Sequence, residues 1–134
     1  MSVTKNVGFT TAAAIAATLA AAVLTLARGE TSVAQLSGDP VHGKVVYQVC
    51  MGCHSLDEDD VGPMHRGVVG RVAGAVHGYA YSPALKDSGL TWDASNLDRW
   101  LTNPQALVPG AKMFFALPNA KDRADVIAYL AEQR

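Results

Sequence analysis

The segment YQVCMGCHSL, residues 47–56, contains both cysteines of the 134-residue chain. Two residues separate Cys50 from Cys53, and His54 follows immediately. A structural zinc site would need four nitrogen or sulfur ligands, and the sequence has no second pair at similar spacing. A thioredoxin-like dithiol would need a preceding strand, whereas this segment follows a predicted helix. A disulfide across two residues would close a very small loop and stabilise the fold little.

Covalent haem attachment through the pattern C-x-x-C-H is the fourth interpretation of this segment, and it suits the chain best. The two sulfurs can meet the two vinyl groups of the porphyrin while the chain turns, which brings the next imidazole beneath the iron. The sequence therefore predicts one haem c per chain. Cys50 and Cys53 would hold it covalently, and His54 would bind the iron.

The N-terminal part of the chain has a different composition from the rest. Residues 7–27, VGFTTAAAIAATLAAAVLTLA, carry no charge and follow Lys5 closely, as in a signal peptide or a membrane anchor. Ser32-Val33-Ala34 has the small-x-small form of a cleavage site. We expect residues 1–34 to be either a cleaved signal peptide or a retained membrane anchor. Residues 35–134 would then be a domain on the periplasmic or intermembrane side, free after cleavage or tethered by residues 7–27.

The net charge of the predicted domain is slightly negative. Residues 35–134 contain nine Lys and Arg and eleven Asp and Glu, a net charge of −2, which does not favour nucleic acid. The acidic run at residues 57–60 is expected to be a solvated loop that could repel an acidic partner. A domain of this size has a small core and gains stability from a cofactor.

Helix-start signals recur along the domain, and no sheet pattern accompanies them. The signals are Asp39 before Pro40, Ser82 before Pro83, Asp93, and Asn119. The first predicted helix has four valines near one face: Val41, Val45, Val46 and Val49. Residues 62–81 contain five glycines and no sustained period, so they predict a loop. Pro104 is expected to end the third helix. The sequence predicts an all-α domain of three to five helices with long glycine-rich loops.

A second iron ligand would decide between an electron carrier and a gas-binding or catalytic haem protein. Met113 lies 59 residues after His54 and follows the turn at Pro109-Gly110, so it could reach the opposite haem face. It could also be a core methionine that fills a gap. The other methionines and histidines are less suited by position: Met51, Met64, His42, His65 and His77.

Further motifs extend through the whole domain. They are Gly43 and Tyr47 in the first helix, Gly62-Pro63, the loop GVVGR at 67–71, Pro109-Gly110 before Met113, and the last helix RADVIAYL at 123–130. Together with C-x-x-C-H, they make residues 39–132 resemble a class I c-type cytochrome of the mitochondrial and bacterial c2-like group.

This resemblance implies a role for each site residue. Cys50 and Cys53 would form the thioethers, and His54 and Met113 would bind the iron. The Pro63 carbonyl would accept the ring N–H of the ligating imidazole. Residues around a buried propionate would be Arg71, Tyr81 and Trp92, whose side chains are suitable donors. Gly43 would permit a close crossing of the first and last helices.

The sequence departs from the family pattern at several positions. Ala111 replaces a usual threonine, and Leu85 and Trp100 stand where some relatives carry an asparagine and a tyrosine near the methionine sulfur. We therefore expect a weakened polar network at that sulfur. His65 stands where leucine is common, and it could bond to the backbone or the haem edge, or titrate.

The resemblance implies a one-electron carrier that is a monomer and not an enzyme. Its partners would be a quinol–cytochrome c reductase-like donor and an oxidase, reductase or peroxidase acceptor. Membrane tethering beside one complex, or a haem enzyme or gas sensor with a displaceable methionine, are the alternatives. Lysines that could surround an exposed haem edge, or simply be solvated, are Lys44, Lys86, Lys112 and Lys121.

Overall fold

The computed structural model describes Met1 and residues 37–134. The predicted signal or anchor within residues 1–34 therefore lies outside the described residues, Met1 apart. Over residues 37–134 the chain is helical, and its β structure is one isolated bridge between Val72 and Thr91. The all-α prediction is confirmed. No helix in this part of the chain is long and apolar enough to cross a membrane.

Five α-helices and one 3-10 helix make up the described domain. They are α1 (Pro40–Val46), the 3-10 helix (Tyr47–Gly52) that continues from it, α2 (Pro83–Lys86), α3 (Ala94–Thr102), α4 (Pro104–Leu107) and α5 (Ala120–Glu132). The four predicted start signals are all present, because each predicted cap accepts backbone N–H groups of its helix. Pro104 was expected to end the third helix, and it does follow the end of α3, but it also begins another helix. Asn103 caps a further short helix there, with Pro104 in its first turn.

The first and last helices cross at a position where only glycine fits. A Cβ atom on Gly43 would lie 2.0 Å from the Asp125 carbonyl oxygen and 2.9 Å from the Tyr129 Cβ. The tyrosine rings of Tyr47 and Tyr129 then pack beside the crossing, with centroids 5.2 Å apart. The close crossing expected at Gly43 is confirmed.

The valines of the first helical stretch do not form its buried face. Val41, Val45 and Val49 are 78%, 64% and 56% exposed, while Gly43 and Tyr47 are buried. The close crossing explains this difference, since the face that approaches α5 must carry the residue without a side chain. Val46 is the exception, since it is partly buried against the core, whereas the other three valines form an exposed surface.

Arg123 joins α5 to α3 and to the segment that follows Met113. Its Nε donates to the Asp98 carboxylate at 2.8 Å, and its Nη1 donates to the carbonyls of Leu117 and Pro118 at 3.0 and 2.9 Å. The side chain is almost fully buried. Charge-assisted bonds of this kind are stronger than neutral ones, so they fix the route by which the chain returns to α5.

Candidate cofactor-binding site

A cavity of about 300 Å³ lies inside the ring of helices and loops. The structure places every predicted site residue in its lining: Cys50, Cys53, His54, Pro63, Arg71, Tyr81, Trp92 and Met113. Much of the remaining lining is apolar and comes from the buried core, including Leu97, Leu101 and Val126. The sequence positions these residues far apart, and the fold brings them to one enclosed volume.

The two cysteines lie at the end of the 3-10 helix and are not joined by a disulfide. The N–H groups of Cys53 and His54 both donate to the Cys50 carbonyl, at 3.1 and 2.9 Å. This turn presents the thiols and the imidazole to the same cavity. Burial raises the pKa of the Cys50 thiol to about 11. A reactive dithiol would need a lowered pKa, so the thioredoxin-like interpretation is not supported.

The imidazole of His54 is fixed in one orientation. Its Nδ1 donates to the Pro63 carbonyl at 2.8 Å, which leaves Nε2 as the nitrogen with a lone pair. A Cβ atom on Gly62 would lie 2.1 Å from the ring carbon Cε1, so glycine is required there. Burial lowers the pKa of His54, and the bond to Pro63 only partly opposes this effect. The ring is therefore neutral at pH 7, as a metal ligand must be.

His65 stacks on His54, with ring centroids 4.0 Å apart and planes inclined by 20°. Its Nδ1 shares a hydrogen bond of 3.1 Å with the Tyr47 hydroxyl. Burial is the main cause that lowers the pKa of His65 to about 3, and the nearby charge of Arg71 adds to it. Of the possibilities left open by the sequence, titration near neutral pH is thus not supported. The sequence analysis considered the backbone and the haem edge as bonding partners of His65, and it did not predict the Tyr47 hydroxyl.

Met113 has a hydrogen-bond donor at its sulfur. The indole Nε1 of Trp100 donates to the Met113 Sδ at 3.2 Å. The prediction of a weakened polar network near this sulfur was therefore wrong in one respect, because tryptophan supplies an N–H where relatives carry a tyrosine hydroxyl. Leu85, as expected, contributes only apolar surface and is buried.

Gln105 holds the loop that carries Met113, and the sequence analysis missed it. Its Nε2 donates to the carbonyls of Ala111 and Met113, both at 2.8 Å, and its Oε1 accepts from the Gly110 N–H at 3.3 Å. The residue belongs to α4, whose start at Pro104 was taken as a helix end. The Asn103-Pro104 pair was the available signal, since it has the same form as Asp39-Pro40 and Ser82-Pro83.

Arg71, Tyr81 and Trp92 lie in the cavity lining, as the resemblance implied. The Arg71 guanidinium donates to the carbonyls of Met64 and Arg66 at 2.6 and 3.0 Å, and it has further N–H groups available for an anion. Burial lowers the pKa of Arg71 and raises that of Tyr81, so the arginine is cationic and the phenol neutral at pH 7.

The donor set fits a covalently bound haem c. Two thiols and a neutral imidazole enter one cavity from the same turn, a thioether lies in the same lining, and donors such as Arg71 are present for carboxylates. Because Gly62 has no side chain, the His54 imidazole can lie directly beside it. The remaining lining is apolar, as a porphyrin requires.

The sequence model of the cytochrome c family matches residues 40–134. The chain is a class I c-type cytochrome. It is 51% identical over 104 residues to cytochrome c2 of Rhodomicrobium vannielii, covering 75% of this chain and 83% of that protein. It is 45% identical over 100 residues to cytochrome c2 of Rhodoblastus acidophilus, covering 72% and 94%. The solved structure of cytochrome cH from Methylobacterium extorquens matches with a TM-score of 0.68 and 46% identity, over 70% of this chain and 98% of that one.

Membership of this family settles the cofactor and the general activity. The cytochrome carries one covalently bound haem c and acts as an electron carrier that exchanges electrons with redox partner complexes. The haem enzyme, the gas sensor and the dedicated membrane module are not favoured.

The four lysines considered for the haem edge have different surroundings in the structure. Only Lys112 is among the residues that line the cavity, and its Nζ donates to the Ala80 carbonyl. Lys121 pairs with Asp125 beside the crossing of α1 and α5, and Lys44 lies in the last turn of α1. Lys86 ends α2 and packs against Gly74.

Proposed function

We propose that this cytochrome moves single electrons through a haem c that Cys50 and Cys53 hold covalently and that His54 and Met113 ligate. The observation that carries this proposal is the pairing of two supported ligands in one cavity. The imidazole of His54 bonds to Pro63, and the sulfur of Met113 bonds to Trp100. When bound, haem c supplies an iron centre that changes its charge by one unit.

The residues around the two ligands would keep the site unchanged between oxidation states. Pro63 holds the His54 ring in one tautomer and makes its Nε2 more basic. Trp100 and Gln105 restrain the sulfur and the backbone of Met113. Arg71, Tyr81 and Trp92 would hold a propionate in the cavity with hydrogen bonds and positive charge. Such restraint reduces the structural change that accompanies each electron.

Ligation from both sides leaves no open position at the iron, so we infer that the protein is not an enzyme. Carbon monoxide tests this point, because it binds ferrous haem that has a free position. The ferrous wild-type protein is expected not to bind carbon monoxide at neutral pH, whereas Met113→Ala binds it readily. Rapid binding by the wild type would overturn the ligand assignment and favour a gas-binding role.

We propose that residues 35–134 act on the periplasmic side, after a signal or anchor within residues 1–34. The donor would be a quinol–cytochrome c reductase-like complex, and the acceptor an oxidase, reductase or peroxidase. The intact mass of protein purified from its source cells tests the attachment and the start of the chain together. We expect the polypeptide plus one haem, and Cys50→Ser or Cys53→Ser should weaken attachment. A mass without haem would refute the proposal.

A further inference from the structure

His65 lies face to face with the proposed iron ligand His54. The two ring centroids are 4.0 Å apart, and the ring planes are inclined by only 20°. Leucine is common at this position in the family, and a leucine side chain has no ring that can stack. The stack is therefore a feature of this chain's own sequence, and membership of the family does not explain it.

The bond from His54 to Pro63 leaves one movement of the imidazole unrestrained. It fixes Nδ1 at 2.8 Å from the carbonyl oxygen, but the ring plane can still tilt about the line of this bond. A flat ring packed against the face of the imidazole opposes the tilt, because any tilt drives atoms of one ring against the other. The stack thus supplies a restraint that the hydrogen bond alone does not.

A second set of contacts fixes His65 itself. Its Nδ1 is hydrogen-bonded to the Tyr47 hydroxyl at 3.1 Å. Tyr47 is only 2% exposed, and its ring packs on Tyr129 of α5, with centroids 5.2 Å apart. A buried hydroxyl that loses its partner costs free energy, so this bond favours one orientation of the His65 ring. The contacts therefore run without a break from the crossing of α1 and α5 to the proximal imidazole.

We propose that His65 is a positioning residue for the iron ligand, and that its ring, held by Tyr47, sets the plane of the His54 imidazole. This inference rests on the proposed function, because it concerns the orientation of a ligand to the haem iron. Residues that contact a metal ligand without touching the metal orient that ligand and tune the metal. Here the contact is a stacked ring, and it acts in addition to the hydrogen bond from Pro63.

Two properties of the haem-loaded protein report on this contact. The plane of an axial imidazole decides how unpaired spin spreads over a ferric haem, so the NMR shifts of the haem methyl groups follow its orientation. The reduction potential responds as well, because an apolar neighbour disfavours the more highly charged ferric state. His65→Leu should change the ferrous-to-ferric ratio about threefold in favour of ferrous, which is a rise of ~28 mV at ~59 mV per tenfold change.

The test compares the haem-loaded wild type with His65→Leu, Tyr47→Phe and the double variant. His77→Leu is the matched control, because it makes the same replacement at an exposed histidine that is not among the residues lining the cavity. His65→Leu and Tyr47→Phe are each expected to move the haem methyl shifts further than His77→Leu does. When His65 is already leucine, Tyr47→Phe should add almost nothing, because the hydroxyl acts through His65.

The outcomes can be told apart. The inference is wrong if the methyl shifts and the potential of His65→Leu match those of His77→Leu. It is also wrong if Tyr47→Phe has the same effect with and without His65, since packing alone would explain that. If His65→Leu takes up no haem, Tyr47→Phe decides, and unchanged shifts there overturn the inference. A failure of the proposed function would appear in the wild type itself, as missing haem or rapid binding of carbon monoxide, and the inference would fail with it.

Discussion

Asp125 links the last helix to the first through hydrogen bonds and ion pairs. A substitution of this residue therefore tests how the contact between the two helices is stabilised. Its side chain is only 2% exposed. Its Oδ1 accepts the Asp39 N–H at 2.7 Å, and its Oδ2 contacts the His42 Nδ1 at 2.7 Å and the Lys121 Nζ at 2.5 Å. The bonds to Lys121, to the Asp39 backbone and to His42 lower the pKa of Asp125 from 3.8 to about 2.

The sign of the pH dependence follows from this lowered pKa. The unfolded carboxyl binds a proton more tightly than the folded one, so the ionised side chain stabilises the fold fully above about pH 4. That contribution is about 2 kcal/mol at pH 7. It falls to about half at pH 3, and it disappears as the pH drops below the folded pKa of about 2.

The perturbation is Asp125→Asn, measured by urea unfolding of the ferric, haem-loaded protein with circular dichroism at pH 7, 5, 4 and 3. We expect a loss of about 2 kcal/mol at pH 7 that narrows to about 1 kcal/mol at pH 3. Asp122→Asn is the control, since Asp122 is a neighbouring carboxylate on the same helix, whereas the bonds to Asp39, His42 and Lys121 are made by Asp125. It should cost less than about 0.5 kcal/mol. An equal loss for Asp125→Asn at every pH would show that packing, and not charge, carries the effect.

Three further perturbations test the cofactor site. Gly62→Ala should sharply reduce the yield of haem-loaded protein, because the new Cβ would lie 2.1 Å from the His54 ring. The intact mass and the visible absorption of the purified protein measure the fraction that carries haem. A normal fraction would contradict this prediction. Trp100→Phe removes the indole N–H, whose nitrogen is 3.2 Å from the Met113 sulfur. The reduction potential should fall by tens of millivolts, which corresponds to the free energy of about one hydrogen bond. An unchanged potential would show that this bond has no electronic role. Gln105→Leu removes the two 2.8 Å hydrogen bonds to the carbonyls of Ala111 and Met113, so carbon monoxide should displace Met113 more readily in the ferrous protein. Gln105→Glu removes the same two donated bonds but keeps an oxygen that can accept the Gly110 N–H. Comparing the two variants separates the donor role of this side chain from its acceptor role.

The helices and the attachment site could be predicted because their signals are local. Caps such as Asp39, Ser82 and Asn119 act on the next few residues, so the sequence shows both partners of each hydrogen bond. The C-x-x-C-H turn is equally local, and its three residues line one cavity.

The remaining features depend on contacts between distant segments. The bond from Trp100 to Met113 and the stacking of His65 on His54 depend on the paths of loops that have no sequence period. The exposure of Val41 has the same origin, since a helical pattern does not say which face another helix will cover. Proximity in the sequence predicts none of these contacts, and only the packed chain determines them.

The crossing of α1 and α5 also fixes the order in which the molecule can be completed. His42 and Asp125 are 83 positions apart, and a Cβ on Gly43 would collide with the Asp125 backbone, so the two helices meet only in that one arrangement. The first helix therefore has no partner until α5, near the end of the sequence, is also present. Closing a loop of this length costs conformational entropy, so the contact forms slowly. Until then Cys50 and Cys53 remain accessible on an unfinished chain, and an enzyme that attaches the porphyrin could reach them before the last helix closes the domain.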